Sequence, residues 1–71
     1  MSRIYHLVLN ALGPKERDKA YECIERNWGP EPSYRSDLNG LLRRFLGISA
    51  TEAAETIDDL VTRGLLIESE E

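Results

Sequence analysis

The sequence predicts a small, mainly helical domain with at most a two-stranded minimal sheet. Three observations carry this. Leu38, Leu41, Leu42, Phe45 and Leu46 recur at i, i+3, i+4, i+7 and i+8, the stripe of an amphipathic helix. Ser49 and Glu52 have the spacing of a capping box, and a second stripe of Ala50, Ala53, Ile57, Leu60 and Val61 runs through and beyond it. Gly47 and Gly64 stand where those two helices must stop, and Leu65-Leu66-Ile67 follows as a short apolar exit strand.

Residues 3–12 admit two readings. Ile4, Leu7, Val8 and Ala11 have helical spacing, with Ser2 able to cap and Gly13-Pro14 able to stop the turn. The rival is a strand with Tyr5, Leu7 and Leu9 on one face, whose partner would have to be Leu65–Glu68. The helical spacing is the favoured reading.

Residues 14–28 read as a helix with Pro14 at its first position, where the missing N–H costs nothing. Ala20, Tyr21, Ile24 and Trp28 form its apolar stripe. Opposite charges at Lys15/Asp18, Glu16/Lys19, Lys19/Glu22 and Glu22/Arg26 support it. Gly29-Pro30 ends it, and the two prolines Pro30 and Pro32 hold an extended loop flanked by Trp28 and Tyr34. Those two rings either lid a small core or form an exposed aromatic patch for a partner.

The helix over 37–46 takes Ser36 as its N-cap and Asp37 in its first turn. Gly40 inside it costs about 1 kcal/mol relative to alanine, which predicts close approach of a neighbouring backbone. Ile48 precedes the Ser49 cap at the position of a hydrophobic staple facing Ala53. Glu68–Glu71 reads as a solvated tail.

Length and charge narrow the function classes. Seventy-one residues make one domain, which buries only about 60% of the surface of its unfolded chain. The single cysteine, Cys23, fits a reducing cytosol and excludes an internal disulfide, so association into a homodimer is a reasonable source of stability. Neither a signal peptide nor a membrane span is legible, and a cytoplasmic location is expected. The net charge of −4 is polarised: residues 1–47 carry eight Lys/Arg and six Asp/Glu, whereas residues 48–71 carry Arg63 against seven acids. An acidic whole disfavours non-specific phosphate binding.

The Gly47-Ile48-Ser49 turn between two helices, with the exit Leu60-Val61-Thr62-Arg63-Gly64-Leu65-Leu66-Ile67, resembles the winged helix-turn-helix domain of repressors. The resemblance covers residues 36–67, with 14–28 as the supporting helix. It implies a helix-turn-helix or winged-helix-like fold in which the last helix enters the major groove and the preceding one crosses the backbone. The chain departs from that pattern twice. Only four residues follow Ile67, so at most one wing strand exists, paired with the N-terminus if with anything. The expected reading face carries Thr51, Glu52, Glu55, Thr56 and Asp59, where phosphates and base edges call for basic or amide side chains.

Two binding readings follow. Glu52, Glu55 and Asp59, with Trp28 and Tyr34, would dock a basic protein surface; Asp59 is also spaced to pair with Arg63. Alternatively Arg35, Arg43 and Arg44 would contact phosphates in a dimeric winged-helix regulator. The bland account of both sets is a solvated surface. Cys23 and His6 are the only nucleophile–base pair available, with no orienting third group and no metal-ligand spacing, so no catalytic residue, metal or cofactor is assigned. The expected function is a non-catalytic protein-interaction module, in the manner of small intracellular adaptors and inhibitors, phage-encoded ones among them.

Overall fold

Tyr5, at the centre of the N-terminal strand, is fully buried, and the rest of the chain is laid around that strand. The computed structural model describes residues 3–70. In order the elements are β1 (Arg3–Leu7), α1 (Lys19–Asn27), β2 (Ser33–Tyr34), α2 (Arg35–Leu46), α3 (Ala50–Thr62) and β3 (Leu66–Glu70). The three strands form one antiparallel sheet in the order β2-β1-β3. β1 pairs with β3 from Arg3 opposite Glu70 to Leu7 opposite Leu66, and with β2 through Ile4/Tyr34 and Tyr5/Ser33.

The domain is therefore mixed α/β, half helical with a three-stranded sheet, and not mainly α with two strands at most. The helical reading of residues 3–12 is overturned. Period-two burial of Tyr5 and Leu7 wins over the helical spacing because β3 supplies a five-residue ladder. That ladder uses Glu68–Glu70, which read as a solvated tail. Carboxylate-rich residues make poor strands alone, but cross-strand pairing outweighs propensity. The expected Ser2 cap lies outside the described residues, as does Glu71. The pairing of the exit strand with the N-terminal segment is found.

Alternation sends Tyr5, Leu7 and Leu66 inward, to pack with Ala20, Tyr21, Cys23 and Ile24 of α1, Leu38 and Leu42 of α2, and Ala53, Ile57 and Leu60 of α3. Tyr34 and Ile67, 42% and 54% exposed, lie on strands away from this core. Two stripe residues expected inside stand outside: Phe45 is 51% exposed and Ala50 is exposed. Leu41, Leu46, Ile48 and Val61 pack partly buried against the core.

α1 starts five residues later than expected. Asp18 is its N-cap, and its carboxylate accepts from the Tyr21 N–H at 2.9 Å. Pro14 therefore sits in the preceding loop, where the Gly13 carbonyl accepts from the Glu16 N–H at 3.1 Å. Lys15 and Glu16 fall outside the helix, so their expected helical pairs are lost. Tyr21 fastens that loop by donating its hydroxyl hydrogen to the Val8 carbonyl.

α2 follows β2 without a break, so Tyr34 and not Ser36 occupies the N-cap position. Asp37 reaches back to accept from the Tyr34 N–H at 3.0 Å. Gly40 is exposed and has no heavy atom near the place a Cβ would occupy, so no backbone approach explains it. The turn into α3 is closed as expected: Ser49 Oγ accepts from the Glu52 N–H at 3.1 Å, and Glu52 Oε1 accepts from the Ser49 N–H at 3.2 Å. Gly64, at φ 77°, ends α3. The Leu65 N–H then donates to the Leu60 carbonyl at 2.9 Å and the Gly64 N–H to Val61 at 3.0 Å, a Schellman closure that aims the chain into β3. Among the described residues no helix is long and apolar enough to cross a membrane.

Candidate interaction surface

With Ala53, Ile57 and Leu60 turned inward, α3 presents Glu52, Glu55, Asp58 and Asp59 to solvent. The four carboxylates differ in how far they are committed. Glu52 is held in the capping box, so it is a structural group as well as a charge. Glu55 is exposed on the outer face of the helix. Asp59 pairs with Arg63 at 2.8 Å, the i,i+4 pair expected from the sequence. Asp58 had no role in the sequence reading, and it pairs with Arg35 at 2.8 Å.

Arg63 reaches further than its own helix. The same Nη2 that meets Asp59 also binds Asp18, joining the end of α3 to the start of α1. Burial opposes ionisation of Asp18, but the Tyr21 N–H, the Arg63 guanidinium and the Ala20 N–H together hold its carboxyl below the usual range. The Asp18 and Asp59 carboxylates raise the pKa of Arg63, keeping it charged.

Arg35 is drawn inward instead of facing a ligand. Its guanidinium donates to Asp58 at 2.8 Å, to the Ala54 carbonyl at 3.1 Å and to the Tyr5 hydroxyl at 3.0 Å. The hydrogen bonds to Asp58 and Tyr5 raise its pKa. Tyr5 in turn donates to Glu68 at 2.8 Å, and Glu68 accepts from Arg3 at 3.3 Å. An open depression of about 640 Å³ lies beside this chain, lined by Arg3, Tyr5, Tyr34, Arg35, Ser36 and Asp58. Both of its arginines already face carboxylates, so it offers little uncompensated charge to a ligand.

Arg43 and Arg44 are exposed in the last turn of α2, where positive charge complements the helix C-terminus. Arg44 lies 5.6 Å from the centroid of the exposed Phe45 ring. The three arginines of the nucleic-acid reading thus do not act as a set: two are free to meet a phosphate and Arg35 is not.

Trp28 and Tyr34 separate as well. Trp28 packs partly buried against the core and donates from Nε1 to the Glu31 carbonyl at 3.1 Å. Tyr34 is exposed on the sheet. The core-lid reading fits Trp28, and the exposed-ring reading fits Tyr34.

Cys23 is buried, and burial raises its thiol pKa, which lowers the thiolate fraction a nucleophile needs. The Asn27 amide donates to the Cys23 carbonyl at 2.9 Å. His6 lies half-buried on β1. No group of three or more His, Cys, Asp or Glu able to hold a metal occurs among the described residues.

Nothing local in the sequence announces the Arg35–Asp58 and Asp18–Arg63 pairs, which span 23 and 45 positions. Comparison with known protein families, with curated proteins and with solved structures finds no match for this chain.

Proposed function

We propose that this domain is a non-catalytic protein-interaction module on a winged-helix-like scaffold, docking a basic partner surface through α3. α2 and α3 act as the helix-turn-helix pair, joined by Gly47, Ile48 and the Ser49 cap. β3 acts as the one wing strand, and β1 takes the place of the strand that would complete a wing. The observation that carries the reading is the exposed face of α3: with Asp58 paired to Arg35, and Asp59 sharing Arg63 just past the helix end with Asp18, Glu52 and Glu55 are the acids left to a partner. Such a face repels phosphate and attracts lysine and arginine. Tyr34, exposed and lining the same depression as the paired Arg35 and Asp58, extends the contact toward the sheet.

Binding of this kind is steered by charge and weakens with salt. The test removes the charge without damaging the helix start. Glu52→Gln keeps a capping side chain, and Glu55→Lys reverses the uncommitted charge. The double variant binds the partner at least tenfold more weakly at low salt; unchanged affinity overturns the reading.

The exposure of Arg43 and Arg44 favours a second reading, a dimeric DNA-binding regulator that has lost Arg35 to the fold. Titration of duplex DNA at about 50 mM salt, where phosphate attraction is strong, separates the two. Binding that disappears in Arg43→Glu/Arg44→Glu supports the regulator, and absence of binding removes it.

A further inference from the structure

We propose that the domain associates with a second copy of itself through a self-complementary face made by α1, the C-terminal end of α2 and α3. The inference rests on the reading of α3 as an acidic docking helix, and it names a basic partner surface that this chain itself carries.

Two shallow depressions on the molecule share Lys19 and Leu46 in their linings and so adjoin along one face. They are opposite in charge. On one side lie Arg26 and Phe45, with Arg44 over the Phe45 ring; Glu22 is there too, but it is paired with Arg17 at 3.4 Å. On the other side lie Glu55, Ala20 and Ile48, with Asp18 and Asp59 sharing the one guanidinium of Arg63, so that this trio keeps one net negative charge beside that of Glu55.

A two-fold dimer requires one patch that complements itself when rotated. This face has that form. Rotation about an axis near Leu46 brings the basic half of one copy onto the acidic half of the other, twice. Phe45, 51% exposed although it belongs to the α2 stripe, gains an apolar seat against Ala20, Leu46 and Ile48 of the second copy. An exposed aromatic flanked by arginines is the composition of an interface anchor. Each copy carries a net charge of −4, so association elsewhere on the surface meets repulsion that this arrangement avoids.

Sedimentation equilibrium of the whole chain is the test, run up to about 1 mM protein, the weak end of the affinity scale. The proposal expects a monomer–dimer equilibrium that shifts toward monomer as salt rises from about 50 mM to about 500 mM, because exposed charge pairs are screened. Arg26→Glu and Glu55→Arg each weaken the dimer at least tenfold, and combining them restores it, since the swapped charges meet again across the axis. Phe45→Ala weakens it at any salt. All three side chains are exposed, and circular dichroism verifies that the variants fold. A monomer at every concentration, or a double variant no better than the singles, overturns the dimer. Neither result touches the acidic-helix reading, which the Glu52→Gln/Glu55→Lys titration against a foreign partner decides separately.

Discussion

The Arg35 guanidinium donates to the Tyr5 hydroxyl at 3.0 Å, which ties the start of α2 to the central strand. The hydroxyl passes its own hydrogen to Glu68 on β3, and Arg35 extends to Asp58 and the Ala54 carbonyl on α3. One side chain thus joins α2, α3 and, through Tyr5, two strands. Replacing Arg35 with methionine costs about 1–2 kcal/mol, the lower part of the range for hydrogen bonds to charged groups, because the side chain is 37% exposed. Tyr5→Phe costs about 1 kcal/mol, and the double variant loses less than the sum, since both act in one network. Urea unfolding of the four proteins measures this.

The glycines of α2 and the α3 exit give opposite expectations for the same substitution. Gly40 is exposed, helical and unobstructed, so Gly40→Ala stabilises by about 0.5–1 kcal/mol through helix propensity. Gly64 holds φ 77°, a left-handed conformation that alanine adopts at a cost, so Gly64→Ala destabilises by about 1 kcal/mol. Thermal melting separates them: the first variant melts above the parent and the second below it.

Asp18 makes stability depend on acid. Its carboxyl titrates below the usual range despite the opposing effect of burial, through the Tyr21 N–H and Arg63. A carboxyl lowered on folding stabilises the fold above its unfolded pKa, and that contribution is lost as pH falls through the folded value. Asp18→Ala therefore costs about 1 kcal/mol at neutral pH, as for other N-caps, and the difference from the parent shrinks below about pH 4. Unfolding measured at pH 7 and in acid shows the two curves converging.

The turn between α2 and α3 and the exit from α3 were legible because their signals are local, whereas the Ser36 cap and the burial of Phe45 and Ala50 were misread. Ser49 and Glu52 are three residues apart, Gly64 follows directly on its helix, and the stripe through Ala53, Ile57 and Leu60 repeats within one element. The first half was not legible, because its structure is decided from a distance. Residues 3–12 have helical spacing, yet Arg3–Leu7 is a strand since Leu66–Glu70 pairs with it from the far end of the chain. A charged tail becomes an edge strand for the same reason. Asp18 displaced Pro14 as the helix start because its carboxylate serves both the Tyr21 N–H and Arg63, 45 positions on. The candidate surface divided likewise. The exposure of Glu52, Glu55 and Asp59 followed from helical periodicity alone. The engagement of Arg35 by Asp58 and Tyr5 depended on how the helices pack on the sheet.

Glu52 also separates cap from charge. Glu52→Ala opens the capping box and costs about 1 kcal/mol, whereas Glu52→Gln retains most of that stability. Chemical denaturation distinguishes the pair, and it identifies the glutamine variant as the one suited to binding studies.

The acidic face of α3 is what would select a basic partner. The most direct test captures the tightest binder of the domain from its native cell at about 50 mM salt, where charge attraction is least screened, and remeasures the affinity with purified components for the parent and for Glu52→Gln/Glu55→Lys. The account predicts that the binder is a protein and that the variant holds it at least tenfold more weakly, with the difference fading in high salt. A nucleic acid as the binder, or equal affinity for the two forms, would contradict it.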